Sequence, residues 1–510
     1  MSDDDPTGEE QPEQHGREAE ILKGRRASLD KLRASGIEPF ALTFDPDAHT
    51  ADVKAAFDGI ADGEETGQRH KLAGRVVLAR RQGKLAFLVL RDRTGDLQLF
   101  CTQNAMGDGF SLLDDVDLGD IVGAEGEVVK TKRGELSLKV ERMTMLTKSL
   151  RPLPEKWHGL KDPDLQQRRR YVHLIVDEDP RRYVLARSEM LKKIRRVLDE
   201  RGYVEFEGPM LQSIAGGANA RPFTTYHNVL DMEMKLRISL ELFLKRMLVG
   251  GLERVFEIGR NFRNEGIDRD HNPEFTMLEA YQAYGDYNTM MRLTEDLIVD
   301  CAKAVNAVMG RDPADIAVPY RGARIDLTPP FRQITILGSV SEAIGEEVTL
   351  DRSDLTQLAD RHEVPIDPAW GPGKIIQEMF ERIVEGGIVE PTFVCDFPRE
   401  VSPLARPHRE NPGLTEHFDL VIGGLELVTA FSELTDPDEQ RAKFEDQLRL
   451  KEAGDEEAHP LDEDFLRALE HGMPPAGGMG MGIDRLLMVL TDAPSLRDLI
   501  MFPSHRPEEQ

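Results

Sequence analysis

Five short apolar runs crowd into residues 71–140, and they restrict what this stretch can become. The runs at 71–78, 85–90, 96–100, 121–129 and 135–140 are separated by turns such as Arg93-Thr94-Gly95-Asp96 and Lys132-Arg133-Gly134-Glu135. Strands so short cannot bury an apolar face alone. Closing them on one another removes the exposed edges, so the pattern predicts a small closed β-barrel. Residues 17–36 read as a helix with Ile21, Leu22, Leu29 and Leu32 on one stripe. Residues 150–175, rich in proline and charge, read as a linker. From 181 the period becomes helical (Leu185, Met190, Leu191, Ile194, Val197, Leu198). A strand-like run follows at 203–207, and helices then alternate with apolar strands such as 418–422. The expected fold class is multidomain α+β. It comprises a disordered acidic tail at 1–16, a helix and barrel at 17–150, a linker at 151–180 and a large α/β domain at 181–510.

The net charge of −28 argues against a nucleic-acid partner, because phosphate contacts need Lys and Arg. Binding is local, however. Residues 1–20 hold eight acids against Arg17 and read as a solvated tail. Residues 71–148 are near balance, with tight basic clusters at Arg80-Arg81 and Lys130-Thr131-Lys132-Arg133. The barrel is therefore read as an oligonucleotide-binding one, with two solvated loop tips as the plainer account of the clusters. No apolar run reaches the ~18 residues needed to span a bilayer, and the first thirty residues carry no secretory signal. Cys101, Cys301 and Cys395 are far apart and match no zinc or disulfide pattern, so a reducing, cytoplasmic setting is expected.

Chemistry concentrates in Arg260-Asn261-Phe262-Arg263-Asn264-Glu265, followed by His271-Asn272-Pro273-Glu274-Phe275. Far downstream, Gly480-Met481-Gly482-Ile483-Asp484-Arg485 adds a second arginine. An arginine fork grips a phosphate through two bonds, and a planar ring stacks on a purine. These parts can hold a nucleoside triphosphate without a glycine-rich P-loop.

With these segments the chain resembles the class II lysyl-tRNA synthetases, from about residue 17 to its C-terminus. The resemblance also rests on a helix leading into Arg201-Gly202-Tyr203-Val204-Glu205-Phe206-Glu207-Gly208-Pro209, and on Gly477 to Leu487. Between the later motifs stand Leu434-Thr435-Asp436-Pro437, Ala453-Gly454-Asp455-Glu456-Glu457-Ala458, Asp462-Glu463-Asp464-Phe465 and His471-Gly472-Met473-Pro474-Pro475. Their order and spacing are more specific than any single motif. The resemblance implies a catalytic domain built on an antiparallel β-sheet flanked by helices. It implies a homodimer that activates L-lysine with ATP to lysyl-adenylate and passes it to the 3′ end of lysine tRNA.

Residue roles follow from the same resemblance. Arg263 would bridge the α-phosphate and the substrate carboxylate, and Phe275 and Arg485 would cover the two faces of adenine. Glu265, His271 and Asn272 would complete the ATP site. Asp419 and Glu426, read as a strand and its turn, would hold Mg²⁺, with more than one ion per active site. Glu433 would take the ε-ammonium of lysine, beside Glu279 and Tyr281. Glu241 and the Gly217 backbone would take the α-ammonium, Phe431 would cover the stem, and Thr429 would meet the carboxylate. In the barrel, Phe87, Gln98 and Glu135 match the anticodon-reading set, with Phe87 stacking on a base. The plainer readings are a surface ion pair for Arg263 and Glu265, a solvated edge pair for Asp419 and Glu426, and barrel core for Phe87.

Three departures stand out. Thr429-Ala430 occupies a usual Asn-Gly, Ser239-Leu240 a usual Ala-Pro, and Gly208 a common Thr. Two other functions compete: a paralogue with a different aminoacyl acceptor, and a nucleic-acid-binding regulator on an inactive synthetase fold. The barrel counts against the first, and intact Arg263, Glu265 and Arg485 count against the second. The related aspartate and asparagine enzymes share the barrel but would need an arginine where Glu433 stands.

Overall fold

The computed structural model describes residues 10–154, 160–368, 370–452 and 460–507. The first nine residues of the expected acidic tail, residues 155–159 of the expected linker and the 453–458 motif lie outside the described residues. The chain divides into two compact units, Met1–Lys161 and Asp162–Gln510.

In the first unit, β1 (Glu65–Gln82), β2 (Leu85–Arg91), β3 (Asp96–Thr102), β4 (Ile121–Lys130) and β5 (Leu136–Thr147) close into a barrel in the order β1-β2-β3-β5-β4. Period-two alternation decides what faces inward. Ala86, Leu88 and Leu90 of β2 and Leu97, Leu99 and Cys101 of β3 are buried, so Phe87, Gln98 and Phe100 belong to the outer face. The barrel-core reading of Phe87 is thereby excluded. Gly126 sits where the β4–β5 register shifts, and a Cβ there would strike the Lys139 carbonyl.

A helix precedes the barrel and runs from Glu10 to Ala34. It starts inside the stretch expected to be a disordered tail to residue 16. Pro12 does not prevent this, because the first helical turn has no amide partner to lose. Arg25 is buried, donating to the carbonyls of Leu118 (2.9 Å), Ser149 (3.1 Å) and Arg151 (3.0 Å).

The expected linker is also corrected: Pro163–Arg168 and Arg170–Val176 are helices. Its charge does not mark solvation. Arg170 is fully buried and donates to the carbonyls of Met501 (3.1 Å) and Arg497 (2.7 Å), partners more than three hundred residues away.

The second unit is framed by an eight-stranded sheet. Its strands are β6 (Val204–Glu205), β7 (Arg254–Phe262), β8 (Glu274–Ala283), β9 (Arg332–Thr335), β10 (Thr392–Cys395), β11 (His417–Ile422), β12 (Leu425–Ser432) and β13 (Ala476–Gly482). They run β9-β10-β11-β12-β13-β8-β7-β6. The six central strands are antiparallel, and each edge strand is parallel to its neighbour. The run expected at 203–207 shrinks to the two residues of β6. Helices Asp179–Glu200, Tyr287–Val308 and Ile483–Thr491 share one core with Leu278 and Ala280 of β8, Val428 and Ala430 of β12, and Met479 and Met481 of β13. Alternation sends Glu279, Tyr281, Thr429, Phe431, Gly478 and Gly480 to the opposite face. Among the described residues, no helix is long and apolar enough to cross a membrane.

Candidate active site

Strand register builds the site in rows. One row is Asp419–Thr429–Gly480–Glu279 and the next is His417–Phe431–Gly478–Tyr281. The two glycines keep the middle of the face low. A Cβ on Gly480 would meet Met277 at 3.1 Å, and one on Gly478 would strike Glu433 and Tyr281. Above them lies a cavity of about 190 Å³ lined by Gly217, Ser239, Glu241, Arg263, Glu279, Tyr281, Thr429 and Phe431, among others. That is below the roughly 300–1,000 Å³ of sites for drug-sized ligands and suits a molecule of amino-acid size.

Glu426 is not in a turn but on β12, and a bulge makes that placement effective. Leu420 pairs with Val428, yet Val421 pairs with Glu426, so β12 carries one extra residue. On a regular strand Glu426 and Thr429, three apart, would point to opposite faces. The extra residue reverses the alternation and brings Glu426 to the face of Asp419. Burial and the Asp419 charge push the Glu426 carboxyl above its ordinary range. Burial, with Glu426, Glu381 and Asp419, raises Glu385 to about 8. Among the described residues no three His, Cys, Asp or Glu side chains form a metal cluster. A carboxylate pair still fits Mg²⁺, which binds largely through phosphates and water.

Arg263 follows β7, with its guanidinium 5.1 Å from the Phe275 ring centroid and Nε donating to the Ile238 carbonyl at 3.3 Å. One face of Phe275 thus carries Arg263. Burial lowers the guanidinium's pKa, while Glu265, Glu426 and Glu279 oppose that shift. Glu265 is exposed and acts on it through charge alone. Arg485 donates to the Glu426 carbonyl (2.9 Å) and to His271 Nε2 (2.9 Å). Because Arg donates only, His271 Nε2 accepts, and its Nδ1–H turns to Asp268 at 2.8 Å. Asn272 Nδ2 donates to the Glu274 carbonyl at 2.6 Å, bracing the same loop.

Three carboxylates, Glu241, Glu279 and Glu433, cluster at one end of the cavity, the first two lining it. Glu279 accepts from the Ser239 hydroxyl (3.1 Å), the Leu240 N–H (3.0 Å) and the Tyr281 hydroxyl (3.0 Å). Two of these donors arise from Ser239-Leu240. An alanine has no hydroxyl and a proline no N–H, so the usual Ala-Pro supplies neither. Burial and the nearby Glu241 push Glu279 up to about 7. Glu241 opens the helix Glu241–Val249, and Gly217 packs against it with φ +92, where a Cβ would meet Ser239 Oγ at 2.9 Å. Glu433 is 1% exposed, which excludes a surface acid, and neither of its oxygens receives an aligned hydrogen bond.

Sequence reading missed three participants. Lys245 is wholly buried, with Nζ 2.5 Å from both Glu241 and Glu433. Its i,i+4 spacing from Glu241 was the available signal. His417 Nδ1 meets Ser402 Oγ (2.8 Å), and Nε2 meets Thr429 Oγ1 (3.0 Å) and Asp419 (3.1 Å). An Nε2–H shared by the two acceptors leaves the Thr429 hydroxyl proton free to donate into the cavity. Phe100, unpicked on β3, stacks on Phe87 at 5.4 Å and 17°. Gln98 Nε2 donates to Ser137 Oγ at 2.8 Å. Glu135 is not on a strand. It precedes β5 in the turn, its N–H donating to Thr131 Oγ1 at 3.1 Å.

Two family models match the chain. One, described as class II tRNA synthetases (D, K and N), matches residues 162–506. The other, an OB-fold nucleic acid binding domain, matches residues 70–146. The chain is 49% identical over 498 residues to the lysine–tRNA ligase of Moorella thermoacetica, covering 97% of this chain and 99% of that one. It is 48% identical over 492 residues to that of Syntrophomonas wolfei, with 96% and 97% covered. A Synechococcus lysine–tRNA ligase is 48% identical over 494 residues, with 96% and 100% covered.

Proposed function

The chain belongs to the class II tRNA synthetases of the D, K and N group, and from that premise we infer that it is a lysine–tRNA ligase. The observation that carries the choice of lysine is Glu433, a buried carboxylate against Gly478 and Tyr281 of the amino-acid-sized cavity, with Oε1 unmet and Oε2 paired with Lys245. A buried carboxylate demands a cation, and an ε-ammonium supplies one together with its hydrogen bonds.

In the reaction, a lysine carboxylate oxygen bonds to the α-phosphorus of ATP and pyrophosphate leaves. A hydroxyl of the terminal adenosine of the tRNA then attacks the acyl carbon and AMP leaves. The enzyme's work is alignment and charge stabilisation. Arg263 would leave the Phe275 ring to grip the α-phosphate and the lysine carboxylate, freeing that face for adenine opposite Arg485. Thr429, its hydroxyl oriented by His417, would donate to the same carboxylate. Glu241 and the Gly217 backbone would hold the α-ammonium, and Glu433, beside Glu279 and Tyr281, the ε-ammonium. Asp419 and Glu426 would hold Mg²⁺, which when bound neutralises phosphate charge. The protein would work in the cytoplasm as a homodimer, and the exposed Val184 and Leu185 on helix Asp179–Glu200 suit such an interface. Pyrophosphate exchange with each of the twenty amino acids tests the reading. Exchange with lysine, followed by charging of lysine tRNA, is expected; no exchange with lysine overturns it.

Two outcomes follow for side chains of the site and barrel. Glu279 and Glu433 must both be ionised to hold an ammonium, so lysine kcat/KM should rise with pH across about 7 to about 8, the ranges to which their carboxyls are pushed. Ser239→Ala removes a donor that favours the ionised form. The acid limb should therefore move upward by roughly half a pH unit to one, the size of one hydrogen bond of about 1 kcal/mol. A limb that stays put would detach Ser239 from this role. Phe87→Ala should leave pyrophosphate exchange intact and weaken tRNA charging by about 5- to 150-fold, the worth of one base stacked on an aromatic ring. Equal loss of both would count against an anticodon contact.

A further inference from the structure

Lys245 lies behind Glu241, which lines the cavity, and none of the family roles above uses it. It sits one helical turn after Glu241, its side chain 0% exposed, with Nζ 2.5 Å from Glu241 Oε1 and 2.5 Å from Glu433 Oε2. These carboxylates come from different parts of the fold, the start of helix Glu241–Val249 and the residue just after β12. Lys245 is what joins them. Glu279 stands apart from this bridge, accepting from Ser239, Leu240 and Tyr281.

Charge gives the bridge a purpose. Glu241, Glu279 and Glu433, when ionised, carry three negative charges, and Lys245 cancels one of them. The two left over match the α- and ε-ammonium groups of lysine, whose own carboxylate is left to Arg263. A closed site tolerates little uncompensated charge, so this balance admits a dication and penalises a monocation. The single contact from Lys245 is to Oε2, and Glu433 Oε1 has no hydrogen-bond partner.

Resting on the lysine–tRNA ligase reading, we infer that Lys245 is a positioning and specificity-determining residue. It couples the carboxylate for the α-ammonium to the carboxylate for the ε-ammonium and sets the pocket charge to suit a diamino acid. The groups facing Glu433 are Lys245, Glu241, Glu279 and Tyr281. Burial pushes Glu433 to about 8 and raises Glu241, and Lys245 opposes both shifts.

The full-length Lys245→Met variant, which keeps the buried stem and removes the charge, tests this in lysine-dependent pyrophosphate exchange. The KM for lysine should rise by about 30-fold or more, the order expected when a buried charge loses its partner, with the KM for ATP unchanged as a check on folding. The acid limb of lysine kcat/KM should move to higher pH, and the preference for lysine over norleucine should shrink. In Lys245→Ala, added ethylammonium should restore part of the lysine kcat/KM. A purely structural role predicts otherwise: kcat and both KM values change together, with no movement of the limb and no rescue. That result, or an unchanged lysine KM, overturns the role of Lys245. A wild-type protein that exchanges no pyrophosphate with lysine overturns the function itself, so the two failures are distinct.

Discussion

Glu433→Gln should cut lysine-dependent pyrophosphate exchange by about 10³-fold in kcat/KM while leaving ATP binding intact. The magnitude follows from breaking a buried charge pair, which costs roughly 3–5 kcal/mol. Glutamine keeps the shape but carries no charge, so the ammonium loses its buried counter-ion. The fold should survive, because Lys245 retains its ion pair with Glu241 at 2.5 Å. The loss should fall on lysine alone, since Glu433 belongs to the carboxylate group around Tyr281 and Gly478, whereas the expected ATP contacts lie along Arg263, Phe275 and Arg485. Exchange kinetics and calorimetric ATP binding check both halves. Lysine activation that survives would remove Glu433 from the pocket.

Arg263→Lys should lower kcat for adenylate formation by about 10²- to 10³-fold, the usual loss when one preorganised donor to a developing charge is removed. The substitution keeps a cation, so any effect measures the planar fork. A guanidinium can bond phosphate and carboxylate at once; an ammonium is a point charge that does not. The lysine KM should change less than kcat, because the contact to the α-phosphate strengthens as charge develops there. Single-turnover adenylate formation separates the two effects. Wild-type rates in Arg263→Lys would show that charge alone suffices.

The barrel was legible because its information is local. The alternation in β2 and β3 names the buried set, and Phe87 and Gln98 fall on the other face by the same period. The linker misled for the opposite reason. Residues 163–176 look solvated by composition, but Arg170 finds its carbonyls at Arg497 and Met501, and nothing near it in sequence announces them. Glu135 was placed one residue too far into a strand, a boundary set by the turn bond to Thr131. Along the chain Ser239-Leu240 is only a departure from the family pattern. In space both residues donate to Glu279, so the departure adds hydrogen bonds to the pocket.

The sequence by itself determined the two-part architecture, the family and the residue types proposed to meet ATP and lysine, because periodicity and motif order are written along the chain. Only the tertiary structure decided how those residues meet. The extra residue in β12 turns Glu426 to the side of Asp419, and register alone sets Thr429 and Glu279 on either side of Gly480. Lys245 reaches Glu433 across 188 positions of chain. Such contacts depend on strand pairing and packing between distant segments, and a linear pattern carries the alternation within each strand but not the offset between them.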